Sequence, residues 1–235
     1  MGRWGFRFIV IAFSLAGLSA CATQPHLAAP NFKRVEGATR ILLLPLDVEL
    51  AELTAGGLAE PHAEWTNAAA SHLTRAIREE LAPMAAALVE YVPPGDNAPE
   101  AALIEDLNAL HGAVGKAVAL HLYLEPLRLP TKNGRLDWSL GPEVKALKRH
   151  ANADYALFVH VRDSYTSAGR AAVIAVAALF GVAVQGGVQT GLTSLVDLET
   201  GDVVWFNRLV RGNGDLRTYE PARETARTLL SGLPK

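Results

Sequence analysis

Cysteine occurs once in the 235 residues, and methionine only twice. A single thiol excludes an intramolecular disulfide framework, and it excludes a zinc site built on paired cysteines. Histidine is more frequent, at seven, but no two stand in the His-Glu-x-x-His arrangement that sets two imidazoles on one helical face, so no metal ligand is assigned. The Gly-x-Ser-x-Gly elbow of α/β-hydrolases is missing too, and no catalytic residue is assigned. An excess of one charge is also lacking, with 22 Lys+Arg against 24 Asp+Glu and no basic stripe. That argues against a nucleic-acid partner. The densest basic group, Lys145, Lys148, Arg149 and His150, falls at the end of an expected helix, where cations complement the helix dipole. Nowhere does the chain hold the ~20 consecutive apolar residues that span a bilayer.

What the chain does have begins at its N-terminus. Arg3 and Arg7 flank the start of an apolar run over residues 8–18, followed by the small residues Ser19 and Ala20. Charge, length and exit residues together describe a secretory signal. The run ends in Leu18-Ser19-Ala20-Cys21, which resembles the lipobox of bacterial lipoproteins, with the only cysteine where that machinery requires it. The resemblance implies cleavage before Cys21, a covalent lipid on Cys21 with palmitate as one of its chains, and no other cofactor. More than one acyl chain gives stable anchoring to a membrane. Ala22 stands where lipoproteins retained in the inner membrane often carry Asp, which by the same resemblance implies the outer membrane, periplasmic face. The chain thus divides into a signal peptide (1–20), a lipidated cysteine with a flexible tether (21–39) containing Pro25 and Pro30, and a domain (40–235). Removing residues 1–20, which carry Arg3 and Arg7 and no acid, leaves a net charge of −4. The 18 tether residues after Cys21 reach at most ~60 Å.

The domain opens with Arg40-Ile41-Leu42-Leu43-Leu44-Pro45-Leu46-Asp47, a continuous apolar run expected of a strand buried on both faces. A loop with Gly56, Gly57 and Pro61 follows, then Trp65, Ala69, Leu73, Ala76, Ile77 and Leu81 recur at helical spacing before Pro83. Residues 88–92 form a short strand. Asn97 with Glu100 reads as a capping box for a helix with the stripe Leu103, Leu107, Leu110, Val114 and Val118. Gly141-Pro142 starts a short helix to His150. Residues 155–162 form a strand, and residues 188–196 and 203–210 form a hairpin about Glu199-Thr200-Gly201-Asp202. A last helix starts at Pro221 and stops at Gly232. This order predicts an α/β fold: a single domain with a mixed sheet covered by helices.

The early Ile-Leu-Leu-Leu-Pro-Leu strand, Ala153-Asp154-Tyr155-Ala156-Leu157-Phe158-Val159, and the hairpin from Ser194 to Trp205 resemble a group of poorly characterised Gram-negative outer-membrane lipoproteins. More distantly, the pattern resembles the curli-secretion channel lipoprotein, the lipoprotein activator of a penicillin-binding protein and the N-terminal domain of the Tol periplasmic protein. The resemblance spans most of residues 40–231 and rests on structural motifs. It implies an envelope protein that works by binding an unidentified envelope partner or by assembling, and it carries over no catalytic residue.

Two stretches invite chemistry. Gly112-Ala113-Val114-Gly115-Lys116-Ala117 departs from a phosphate loop in glycine placement, in the Ala after the lysine and in having no preceding strand; its small residues suit close helix packing. Residues 171–184 are fourteen apolar residues without a break. As a helix this run would be apolar all round, and so buried in the core, buried between copies, or set into lipid. Val173, Ile174, Val176, Leu179, Phe180 and Val182 are the candidate membrane or oligomer contacts. Ala171 with Ala175, and Ala177 with Gly181, place small residues four apart, which favours helix pairing. The expected function is that of a non-enzymatic, lipid-anchored envelope protein that binds or scaffolds a partner. The alternative is a homo-oligomeric, secretion-channel-like component assembled through residues 168–190.

Overall fold

Ile41, Leu42, Leu43 and Leu44 are all buried, because the strand they belong to has helices on both faces. The computed structural model describes residues 27–29, 32, 39–84, 87–93, 99–212 and 214–233. The signal peptide, Cys21, most of the tether and the expected cap Asn97 lie outside them. In chain order the strands are β1 (Leu27–Ala28), β2 (Arg40–Leu43), β3 (Asp47–Leu53), β4 (Ala59–Pro61), β5 (Ala87–Glu90), β6 (Tyr155–Thr166), β7 (Gln189–Asp197) and β8 (Val203–Arg211). The helices are α1 (Ala63–Leu81), α2 (Pro99–Tyr123), α3 (Lys145–Ala151), α4 (Ala168–Leu179) and α5 (Tyr219–Leu229).

The long strand β6 organises the sheet. On one side it pairs with β2 and then β3, both parallel, so that Ile41 faces Tyr155 and Asp47 faces His160. One run of chain is broken in two around Pro45, which has no N–H to give the ladder. The expected single strand over 40–47 is therefore two strands, and the second extends to Leu53 through what the glycines and Pro61 suggested was loop. β5 adds parallel to β2, and β4 adds antiparallel to β3. On the other side of β6, β7, β8 and β1 follow in antiparallel order. The sheet is mixed and covered on both faces, as the α/β reading requires.

Alternation along β6 feeds the two layers. Leu157 and Val159 meet Leu73, Ala76 and Ile77 of α1 and Ala222, Ala226 and Leu229 of α5. Ala156 and Phe158 meet Ile104, Leu107 and Val118 of α2 and Leu147 of α3. The buried stripe of α2 differs from expectation by one position: Leu110 is 40% exposed while His111 points inward. A buried hydrogen bond to the imidazole, described below, offsets what a leucine there would gain.

The sheet has two distinct ends. The C-terminus of β6, the N-terminus of β7 and the C-terminus of β8 share one end, set by the registers Asp163↔Gln189 and Gln189↔Arg211. The β7–β8 turn, with Lys145 and Lys148 ion-paired to Glu199, marks the other end. β1 is antiparallel to β8, with Leu27 opposite Phe206 and Ala28 opposite Trp205. The backbone N–H of Ala29 also donates to the Val204 carbonyl at 2.9 Å, and the Phe32 ring packs edge-on to Tyr155. These contacts bring chain read as free tether onto the sheet edge. Only six peptide steps separate Cys21 from Leu27.

Candidate functional site

The connection between β6 and β7 is where the apolar run lies. Ser167 caps α4 by accepting from the Arg170 N–H at 3.1 Å, and the helix then runs twelve residues with none of them buried. After Phe180, Gly181 takes a left-handed φ of 71°, the region only glycine enters at no cost, and the Val182 N–H returns to the Ala177 carbonyl at 3.0 Å. The run is therefore an arm outside the core, and the core-helix explanation of residues 171–184 does not hold. Leu179 and Phe180 are 83% and 78% exposed, Val176 and Val182 more than half, and Val173 is exposed as well. Ile174 alone among the six candidates turns partly inward, toward the backbone at Gly186.

The base of the arm is fastened by polar contacts. Arg170, the only charged residue in 168–184, donates from Nε and Nη2 to the Gln185 carbonyl at 3.1 and 2.9 Å and from Nη1 to the Ala55 carbonyl. Gly187 lies so close to β6 that a Cβ would sit 2.1 Å from the Ser164 carbonyl oxygen. Beneath it, Asp163 accepts from the Tyr165 hydroxyl at 2.5 Å and from Gln189 Nε2 at 2.8 Å. Gln189 Oε1 in turn accepts from Arg211 Nε and the Thr225 hydroxyl. Burial raises the Asp163 carboxyl above its ordinary pKa against the pull of those hydrogen bonds, and burial together with Asp163 pushes the Tyr165 phenol up. A network satisfied at each of these groups rigidifies what it joins, so the arm has a stiff root and a free apolar tip.

On the opposite face, beside α2, lies an open cleft of about 630 Å³ lined by Asp47, Glu105, Asn108, Lys116, His160 and Arg162 among others. His160 Nδ1 donates to Asp47 Oδ2 at 2.6 Å, and Arg162 Nη2 meets Asp47 Oδ1 at 2.7 Å. Burial alone would raise the Asp47 carboxyl, but the hydrogen bonds from His160 and Arg162 outweigh it and hold the pKa below the usual value. Deeper, His111 Nε2 and the Ser194 hydroxyl are 2.9 Å apart. Burial, then the nearby His160, pushes the His111 pKa down to about 3, so the ring is neutral. Gly112 lets α2 approach here, since a Cβ would stand 3.0 Å from His160 Nδ1, and Gly115 does the same against Leu192. The glycine-lysine stretch is thus a helix-packing device. His160 is 4% exposed, and its Nε2 is enclosed without a hydrogen-bond partner. A general base must come within hydrogen-bond reach of its substrate; this nitrogen is closed off from solvent.

No family model matches the chain, and no curated protein matches it. Solved structures do. One is the PelC dodecamer from Paraburkholderia phytofirmans, at 14% identity and a TM-score of 0.38, covering 90% of this chain and 98% of that one. Another is the lipoprotein GNA1162 from Neisseria meningitidis, at 14% identity and 0.32, covering 73% and 81%. A third is the C-terminal domain of LpoB from Salmonella enterica, at 13% identity and 0.29, covering 75% and 84%. The expected resemblance to the curli-secretion and Tol proteins is not shown by these comparisons.

Sequence reasoning missed the Asp47–His160–Arg162 group and the His111–Ser194 pair. The signal for the second was present: His111 continues the spacing of Ile104 and Leu107 toward Val118 and Leu122, a core position occupied by a polar ring. Among the described residues no group of three His, Cys, Asp or Glu could hold a metal ion, and no helix is long and apolar enough to cross a membrane.

Proposed function

We propose that this chain is a lipid-anchored, non-enzymatic protein of the outer membrane, periplasmic face, which holds its α/β domain close against the bilayer as a scaffold for an envelope partner. The observation that carries the reading is β1. With Leu27 paired to β8, the six steps back to Cys21 span at most ~20 Å, so an anchored domain stands at the membrane instead of floating from it. The enclosed Nε2 of His160 supports a structural role for the polar group beside α2.

The test begins with metabolic labelling by a fatty acid and the mass of the N-terminal peptide. The expected result is acylation at Cys21 that is lost, together with membrane fractionation, in Cys21→Ala. A chain that is exported and cut but never acylated overturns the reading.

A second reading is favoured by the exposure of α4 with small residues four apart, namely assembly of several copies into a ring or channel through residues 168–190. Light scattering of the chain from Ala22, which keeps every described element, separates the two. A monomer is expected for the anchored scaffold; a discrete oligomer that dissociates when α4 is replaced by a short polar loop supports the ring.

A further inference from the structure

We infer that the arm is a second membrane contact: the tip formed by Val176, Leu179, Phe180 and Val182 enters the same lipid leaflet that receives the acyl chains of Cys21. The inference rests on the anchored reading above and deepens it.

Three observations choose lipid as the occupant. The first is direction. β1 runs antiparallel to β8, so its N-terminal end points toward Arg211, which is the end of the sheet bearing the arm. The second is length. From the level of Phe206 to that of Arg211 is five residues of strand, ~17 Å, and the six steps to Cys21 extend at most ~20 Å. An anchor at Cys21 can therefore reach the arm end of the sheet and little beyond it. The third is the apolar surface of the arm. At the arm end, exposed Leu58 and Val210 join the tip residues, and the arm's single charge, Arg170, is turned back onto the Gln185 and Ala55 carbonyls. Exposed charge stands at both ends of the sheet, in Glu52, Glu60 and the Arg211–Glu224 pair at this one and in Lys145, Lys148 and Glu199 at the other, but none of it lies on the arm. α4 is about 18 Å long at 1.5 Å per residue, too short to cross a bilayer and suited to burial at its surface. Because the arm presents no free charge, insertion follows apolar area and needs no anionic lipid.

The sequence supplies a clean probe. With Cys21 blocked by lipid, Val182→Cys is the only free thiol of the mature chain. The labelled, lipidated protein is reconstituted into phosphatidylcholine vesicles with nitroxide-bearing acyl chains, beside Thr200→Cys in the β7–β8 turn. A blue shift and quenching are expected at position 182 and not at 200. They should be unchanged in high salt and reduced roughly tenfold or more when Leu179→Asp and Phe180→Asp are added. The thermal transition in solution should stay in place, since those side chains touch no core.

Equal, unquenched emission at both positions overturns the inference. A blue shift at 182 without quenching, together with an oligomer in the chain from Ala22 before any vesicle is added, also overturns it and makes a second copy the occupant. If Cys21 proves unacylated, the anchored reading fails. The chain from Ala22 carrying Val182→Cys, mixed with the same vesicles, still tests the arm independently.

Discussion

At the scale of single residues, the polar side chains of the α2 layer set how the fold responds to acid. His111 is enclosed and bonded to Ser194, with its pKa pushed down to about 3 from an ordinary 6.5. The unfolded chain therefore takes up a proton at this position below pH 6.5, while the folded chain does so only near pH 3. Stability that is complete above pH 6.5 falls as the pH is lowered through that window, by up to about 1.4 kcal/mol per pH unit. His111→Gln keeps a hydrogen-bonding partner for Ser194 and removes the titration. Thermal melts of this variant between pH 6.5 and 4 are expected to slope less than those of the parent. Asp47 acts lower on the scale: its depressed pKa contributes stability above the unfolded carboxylate range that is lost as the pH falls through the folded value. The two residues can thus be told apart by the pH at which each effect begins.

At the scale of elements, helices and strands with a regular apolar stripe or a continuous apolar run are legible, and those that continue or lack such a run are not. α1 shows its core face as Trp65, Ala69, Leu73, Ala76, Ile77 and Leu81, and the structure buries the last five and half-buries Trp65. β3 was hidden because its first residues read as the end of the preceding run, and its pairing is with β6, more than a hundred residues away. α2 was found with its stripe shifted, because apolar periodicity ranks Leu110 above His111 and only the hydroxyl of Ser194 reverses that order. The arm was seen as an unusual run, but periodicity cannot say whether an all-apolar helix is covered. The difference between the two kinds of helix is measurable in stability. Leu73→Ala in α1 leaves a hole in a sealed layer and is expected to cost about 2–5 kcal/mol by denaturant titration. Leu179→Asp in α4 is expected to change it by no more than about 0.5 kcal/mol. A comparable loss at both positions would mean that the arm is packed and not free.

At the scale of the whole molecule, sequence alone proposes an anchor at Cys21 and a domain from residue 40, but not the distance between them. Composition reads residues 22–39 as tether, because the stretch has no helical or strand periodicity of its own. Two residues, Leu27 and Ala28, need no periodicity to join an edge already offered by β8. The same pairing has a mechanical consequence. A pull from the lipid proposed at Cys21 meets first a strand two residues long, held by few hydrogen bonds, well before it meets β2 in the centre of the sheet. β1 is thus the weakest link in series with the anchor, and its release frees residues 27–39 as about 40 Å of extended chain with both helical layers intact. Stretched between Cys21 and its C-terminus by single-molecule force spectroscopy, the protein is expected to yield a short extension at low force, less than that length by the distance already spanned across the sheet, before the domain unfolds. An envelope under strain would then lengthen the leash while the folded body stays whole, and when the tension ends the strand can return to its edge and draw the domain back to the membrane.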